Sequence, residues 1–170
     1  MAQKSRGRDR DTLDRELKSS SYEVLLPKIQ AASPFFRQFD SWSAVIAFMR
    51  HGTSQDPAKD EVLRPIFAAR GAANDERWNS ILLAIFRPGL EFMWHRGVRW
   101  AKHPDDLWAE VTWAFLHAIS KVDLQRRGSR LVQKVINDTH HQLRENLRSE
   151  CERLERERPS ADDASVFQCL

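Results

Sequence analysis

The residues of this chain best equipped for chemistry are cations and amides gathered towards its C-terminal end. Arg126, Arg127 and Arg130 lead into Lys134, Asn137, His141, Arg144 and Arg148. Guanidinium and ammonium groups neutralise phosphates, and Asn and Arg can pair bidentately with base edges, so this set reads as a surface for DNA. On a helix turning about 100° per residue, Gln133, Lys134, Asn137, His141, Arg144 and Arg148 fall within one arc of roughly 100°. No carboxylate falls inside that arc, and Asp138 and Glu145 sit at its margin. The opposite side carries Leu131, Val132, Val135, Ile136, Thr139, Leu143 and Leu147, an apolar stripe that must face a core. The blander reading is a solvated outer face of a bundle helix, which is what most charged helix faces are.

Other chemistry is thinly represented. The sequence contains no H-E-x-x-H, C-x-x-C, P-loop or G-x-S-x-G pattern, and none of its six glycines forms a phosphate-cradling loop. His140 and His141, with Glu145 one turn on, could touch a metal only weakly. Neighbouring helical histidines diverge by about 100°, and a further ligand would have to come from elsewhere. Asp105 and Asp106 with Glu110 are explained more simply as the start of a helix. No catalytic residue, metal site or cofactor is expected, and the chain does not read as an enzyme.

The elements that must position the basic face are all helical. Tyr22, Val24, Leu25, Leu26 and Ile29 suggest a short helix interrupted by Pro27 and ended by Pro34. Ser41 or Ser43 can cap a second helix closed by His51 and Gly52, and Pro57 opens a third, where Pro65 implies a kink or a split and Gly71 an end. Asn74 is the expected cap of a fourth, with Asp75 and Glu76 in its first turn. Its apolar stripe is Trp78, Ile81, Leu82 and Ile85, and Pro88-Gly89 should bend or break it before Leu90, Phe92, Met93 and Trp94. Arg96, Arg99 and Trp100 follow and could extend a nucleic-acid path with a stacking surface. After the strong start at residues 103–106, Leu107, Trp108, Val111, Ala114, Phe115, Ala118 and Ile119 form a wide apolar face. Trp113 points away from it. Cover by a neighbouring helix is the expectation there, with presentation to a partner as the alternative. A polar connection over residues 121–129 then leads into the basic helix, expected to run to about Arg158, with local Glu–Arg pairs beyond Arg148.

Length and composition bound this reading. A chain of 170 residues supports one domain with a proper core, and 41% apolar with 30% charged residues suits a helical protein with polar fringes. The net charge is only +3, but residues 121–148 hold seven Lys/Arg against three Asp/Glu, a local surplus of four that leaves about −1 elsewhere. The positive potential is therefore a patch. Cys151 and Cys169 do not read as a disulfide framework, no apolar run is long enough to cross a bilayer, and the N-terminus has no secretory h-region, so a cytoplasmic location is expected. The expected organisation is an all-α, compact orthogonal or antiparallel helix bundle. It divides into a disordered basic tail at 1–20, an N-terminal helical segment at 21–73, a core at 74–150, and a charged helix end and tail at 151–170.

One resemblance joins these elements. The helix over 78–100, the acidic opening Asp105-Asp106-Leu107-Trp108-Ala109-Glu110-Val111, a short polar turn and the basic helix over 130–148 together resemble region two of bacterial RNA polymerase sigma factors. The resemblance covers about residues 75–150. Asp106, Leu107, Glu110 and Val111 match that family's D-L-x-Q-E-V motif, with Ala109 where glutamine is usual. Leu131-Val132 replaces the usual tryptophan-leucine start of the last helix. It implies that Asp106, Glu110 and Trp113 face the polymerase core and that the basic helix contacts promoter-type DNA; the short apolar runs separately lead to the expectation of no membrane partner. Only a charged stretch follows Arg148 where the family carries a second, helix-turn-helix domain, so independent promoter opening is not expected. The competing reading is a helical protein-interaction adaptor without a nucleic-acid role, using Trp113, Trp100 and the helix beyond Arg148.

Overall fold

Apolar residues at helical spacing become helices throughout the computed structural model, which describes residues 12–73, 75–98, 106–126 and 129–156. Of these residues 79% are helical and none lies in a strand, as an all-α bundle requires. The order is α1 (Ser20–Glu23), α2 (Leu26–Ala32), a 3-10 turn (Pro34–Gln38), α3 (Trp42–Arg50), α4 (Pro57–Ala72), α5 (Arg77–Gly97), α6 (Leu107–Ser120) and α7 (Leu131–Arg156). Helix α7 packs most extensively on α6 and also touches α4 and α5, while α5 contacts α3, α4 and α6. No described helix is long and apolar enough to cross a membrane.

Local signals set most of the boundaries. Ser41 Oγ accepts the Ala44 N–H at 3.2 Å, and Asp56 Oδ1 accepts that of Ala58 at 3.0 Å with Pro57 in the first turn. Gly52 follows α3 with φ +69, a left-handed turn suited to glycine. Pro27 does not interrupt a helix; it occupies the first turn of α2, where its missing N–H is no loss.

Neither interior proline splits its helix. Helix α4 runs unbroken through Pro65 and past Gly71, and α5 through Pro88 and Gly89. An interior proline costs about 3 kcal/mol, but Phe86, Leu90 and Met93 are buried on both sides of Pro88, and each such side chain contributes about 1.5–3 kcal/mol. Burial wins. Gly89 serves the packing: a Cβ there would stand 2.5 Å from Ile136 Cδ1, so the bare backbone lets α7 approach α5 closely.

One core unites the segments 21–73 and 74–150. Trp42 meets Trp78 edge to face with centroids 6.1 Å apart, and its indole N–H donates to the Tyr22 carbonyl at 2.9 Å. The expected tail is shorter than 1–20, because Leu13 and Leu17, one helical turn apart, are buried in this core. Residues 1–11 lie outside the described residues.

Two carboxylates fasten distant helices. Asp75, not an acidic first turn, starts α5: its Oδ1 accepts the Arg77 N–H at 3.0 Å, and its Oδ2 takes the Arg77 guanidinium at 2.7 Å. Arg77 also donates to the Ser21 carbonyl, tying α5 to α1. Asn74, the expected cap, lies outside the described residues. The second carboxylate is Asp60 of α4, which is buried and accepts the backbone N–H groups of Arg130 at 2.6 Å and Leu131 at 2.8 Å. It caps α7 across the fold. Arg130 holds φ 58, a strained value for a non-glycine residue, which persists because this cap fixes it.

Asp60→Ala should therefore lower stability by about 2 kcal/mol, since two buried backbone donors lose a charged acceptor, with Asp60→Asn milder. The urea midpoint measures this, and an unchanged midpoint would remove the cap from the account. The Arg77 hydrogen bond holds the Asp75 carboxyl below its ordinary value. The stability from this clamp is present above the usual carboxylate range and lost as pH falls through the lowered folded value. The gap in stability between wild type and Asp75→Asn should therefore close in acid, and a gap that stays constant down to pH 2 contradicts it.

Candidate nucleic-acid interface

Helix α7 divides as its spacing demands. Leu131, Val135 and Leu143 are buried, Val132, Ile136 and Leu147 pack at the core's edge, and the hydroxyl of buried Thr139 donates to the Val135 carbonyl at 2.7 Å. On the outer side Asn137, His141, Arg144 and Arg148 line one exposed depression together with His140 and Glu145. Four of the eight residues expected at a DNA surface thus share one continuous stripe. Arg126 is exposed on the connection before α7, and Arg130 is exposed at its start. Arg127 and Gly128 lie outside the described residues.

The stripe is less free of carboxylates than its helical arc suggests. Lys134 is half-buried and hydrogen-bonds Asp138 one turn on, and Arg148 Nε donates to Glu152 Oε1 at 2.9 Å. Glu145 lies beside Arg144 and Arg148. Long side chains reach across the 100° boundaries that a helical wheel draws, so marginal acids pair with cations inside the arc. The Glu152 hydrogen bond, reinforced by Glu145, holds the Arg148 guanidinium still more firmly in its charged form. The Arg148–Glu152 contact also realises the local pairing expected of the charged C-terminal end.

A neighbouring feature was not legible beforehand. Helices α3 and α5 start together at Trp42 and Trp78 and run side by side, but α3 has 9 residues and α5 has 21. Past Arg50 no described helix covers α5 on that side, and a groove of about 680 Å³ opens between α5 and α7. Its floor includes Phe86, Met93 and Ile136, and its rim includes Arg50, Arg96 and His140. The groove continues along α7 past Arg144 to Leu147. Among the described residues no Asp or Glu lines it. Phe92, expected to resume the buried stripe, is 61% exposed here, because the stripe outruns its covering helix. The Arg96 guanidinium lies over its ring, 5.6 Å from the centroid. Arg96 thus lines the same groove as Arg144, with Phe92 as an exposed aromatic beside it; Arg99 and Trp100 lie outside the described residues.

Asp106, Glu110 and Trp113 follow one another at helical spacing along α6. Asp106 stands at the start of α6, but its side chain makes no capping hydrogen bond, contrary to the capping expectation. Its exposed carboxylate is left to the solvent side, and Asp105 lies outside the described residues. Trp113 is 52% exposed with Leu116 beside it, so no neighbouring helix covers it. Its ring tilts against His117, whose Nδ1 hydrogen-bonds Gln142 Oε1 of α7 at 2.8 Å. The buried face of α6 is Leu107, Val111, Ala114, Phe115, Ala118 and Ile119, and Trp113 lies on the other side of the helix from it.

His140 and His141 diverge, His140 onto the groove and His141 onto the outer stripe. Among the described residues no three His, Cys, Asp or Glu side chains gather as metal ligands. Comparison with protein families, with curated proteins and with solved structures finds no match to this chain.

Trp113→Ala should leave the fold intact, changing stability by less than about 1 kcal/mol as exposed positions do, whereas Trp78→Ala should cost about 3–5 kcal/mol. Urea unfolding of the two variants tests this, and similar losses would mean that Trp113 is part of the core.

Proposed function

We propose that this chain is a non-enzymatic nucleic-acid-binding module, related in mode to sigma factor region two. The outer stripe of α7 contacts promoter-type DNA, and Asp106, Glu110 and Trp113 of α6 contact the RNA polymerase core. One observation carries the reading: Asn137, His141, Arg144 and Arg148 are exposed along a single stripe, next to a groove rimmed by Arg96 and, among the described residues, free of carboxylates. Cations in line along a helix suit successive phosphates, and the amide of Asn137 adds a group able to read a base edge. The exposed ring of Phe92 under Arg96 adds a stacking surface of the kind that bases use.

Charge reversal of Lys134, Arg144 and Arg148 together should abolish binding to a promoter-like duplex, measured by fluorescence anisotropy. Because Lys134 is already tied to Asp138, Arg144→Glu with Arg148→Glu should account for most of the loss. The slope of log affinity against log salt should fall by about 1 for each phosphate contact removed. Wild-type affinity in the triple variant would refute the reading.

A second reading rests on a separate observation. Trp113 and Leu116 are exposed beside Glu110, a small apolar surface with an acidic edge that suits a protein partner. An adaptor without a nucleic-acid role would lose its partner on Trp113→Ala and keep it on charge reversal of α7.

A further inference from the structure

Arg77, Arg87, Lys134 and Arg148 are each held by a carboxylate of the chain. The arginines that line the groove between α5 and α7 are not. Arg50, Arg96 and Arg144 are exposed and form no ion pair among the described residues. They are spread along the groove, with Arg50 in one part, Arg144 in the other and Arg96 in both. Between them the described lining is mainly apolar and includes Phe86, Met93, Ile136 and the exposed ring of Phe92. Along α7 it runs from Val132 to Leu147, about 22 Å at the helical rise. The space also continues the line of α3, which runs beside α5 from Trp42 and Trp78 and stops at Arg50.

We propose that this groove docks an acidic amphipathic helix of a partner protein. The helix takes the place that a longer α3 would fill, with carboxylates against Arg50, Arg96 and Arg144 and its apolar face on Phe92, Met93 and Ile136. The separation of the cations favours a helix over a small amphiphile. A single anionic head meets one guanidinium, whereas a helix of about fifteen residues spans the groove and presents acidic side chains at several turns. The floor favours it over an extruded base, whose polar edges would lose water there and gain no hydrogen bond. The positive rim also selects among helices, because a basic one would set cation against cation. The docking stands without the DNA reading. Arg144 belongs to both the groove and the outer stripe, so the two ligands compete for that side chain.

The test uses the full chain and two synthetic probes. One is a peptide of about fifteen residues with Leu at one-face helical spacing and Glu on its flanks; the other has Lys for every Glu. By fluorescence anisotropy the wild type should bind the Glu probe about tenfold or more tightly than the Lys probe, with the difference shrinking as salt rises. Arg50→Glu, Arg96→Glu and Arg144→Glu together should reverse that order. In proton–nitrogen correlation spectra, the Met93 and Ile136 amides should move with whichever probe binds. Those around Phe36 should stay in place, which also shows that the variant is folded. Equal affinity for the two probes, or an order that survives the charge swap, overturns the proposal. So does a wild type that binds neither probe, as when its own chain or a second copy fills the groove. Groove amides that move with a single-stranded oligonucleotide and stay still with the Glu probe overturn it as well, because the groove then takes bases.

Discussion

Helix α7 depends at its start on a carboxylate from a helix formed much earlier in the chain. The first backbone donors of any helix lack partners within it, and burying them unpaired costs about 1–3 kcal/mol each. Asp60 supplies the acceptor for both Arg130 and Leu131. This arrangement fixes where α7 begins, holds Arg130 at a strained φ and couples the basic helix to α4. The exposed stripe from Asn137 to Arg148 owes its position to that bond and to the apolar stripe on the other side of the same helix.

The groove has a second origin, in unequal helix lengths. Helices α3 and α5 share a start, and the shorter one stops while the apolar stripe of the longer one continues. What would be core under a longer α3 becomes a surface with Phe92 on it. Gly89 brings α7 close on the other flank, which gives the groove its second wall. The cations at its edge come from three helices, Arg50 from α3, Arg96 from α5 and Arg144 from α7. A positive rim around an apolar floor selects for ligands carrying both acidic and planar or apolar groups, and phosphate-linked bases and acidic amphipathic helices both have that character.

Electrostatics along α7 are more balanced than its composition suggests. Lys134 and Arg148 each engage a carboxylate four residues on, and exposed pairs of this kind contribute only about 0.3–0.5 kcal/mol. They are easily exchanged for a phosphate partner, so the pairing tunes affinity without closing the surface. Arg144 and His141 stand between these pairs, and with Asn137 they form the central part of the stripe.

The sequence by itself determined the helical class, most helix boundaries and the division of α7 into an apolar and a basic side. These depend on local spacing and on caps such as Ser41 and Asp56, whose partners lie within a few residues. The tertiary structure decided the rest. Whether Pro88 breaks a helix depends on the burial available to either side of it, and whether Trp113 and Phe92 are covered depends on where α7 and α3 lie and end. The role of Asp60 could not be read from residues 59–61, because its partners are seventy positions away. Leu13 and Leu17 looked like part of a polar tail because two leucines among charges show no period, yet one turn of helix suffices to bury both. Local propensity settles which backbone forms; the company each face keeps is settled only when the helices pack.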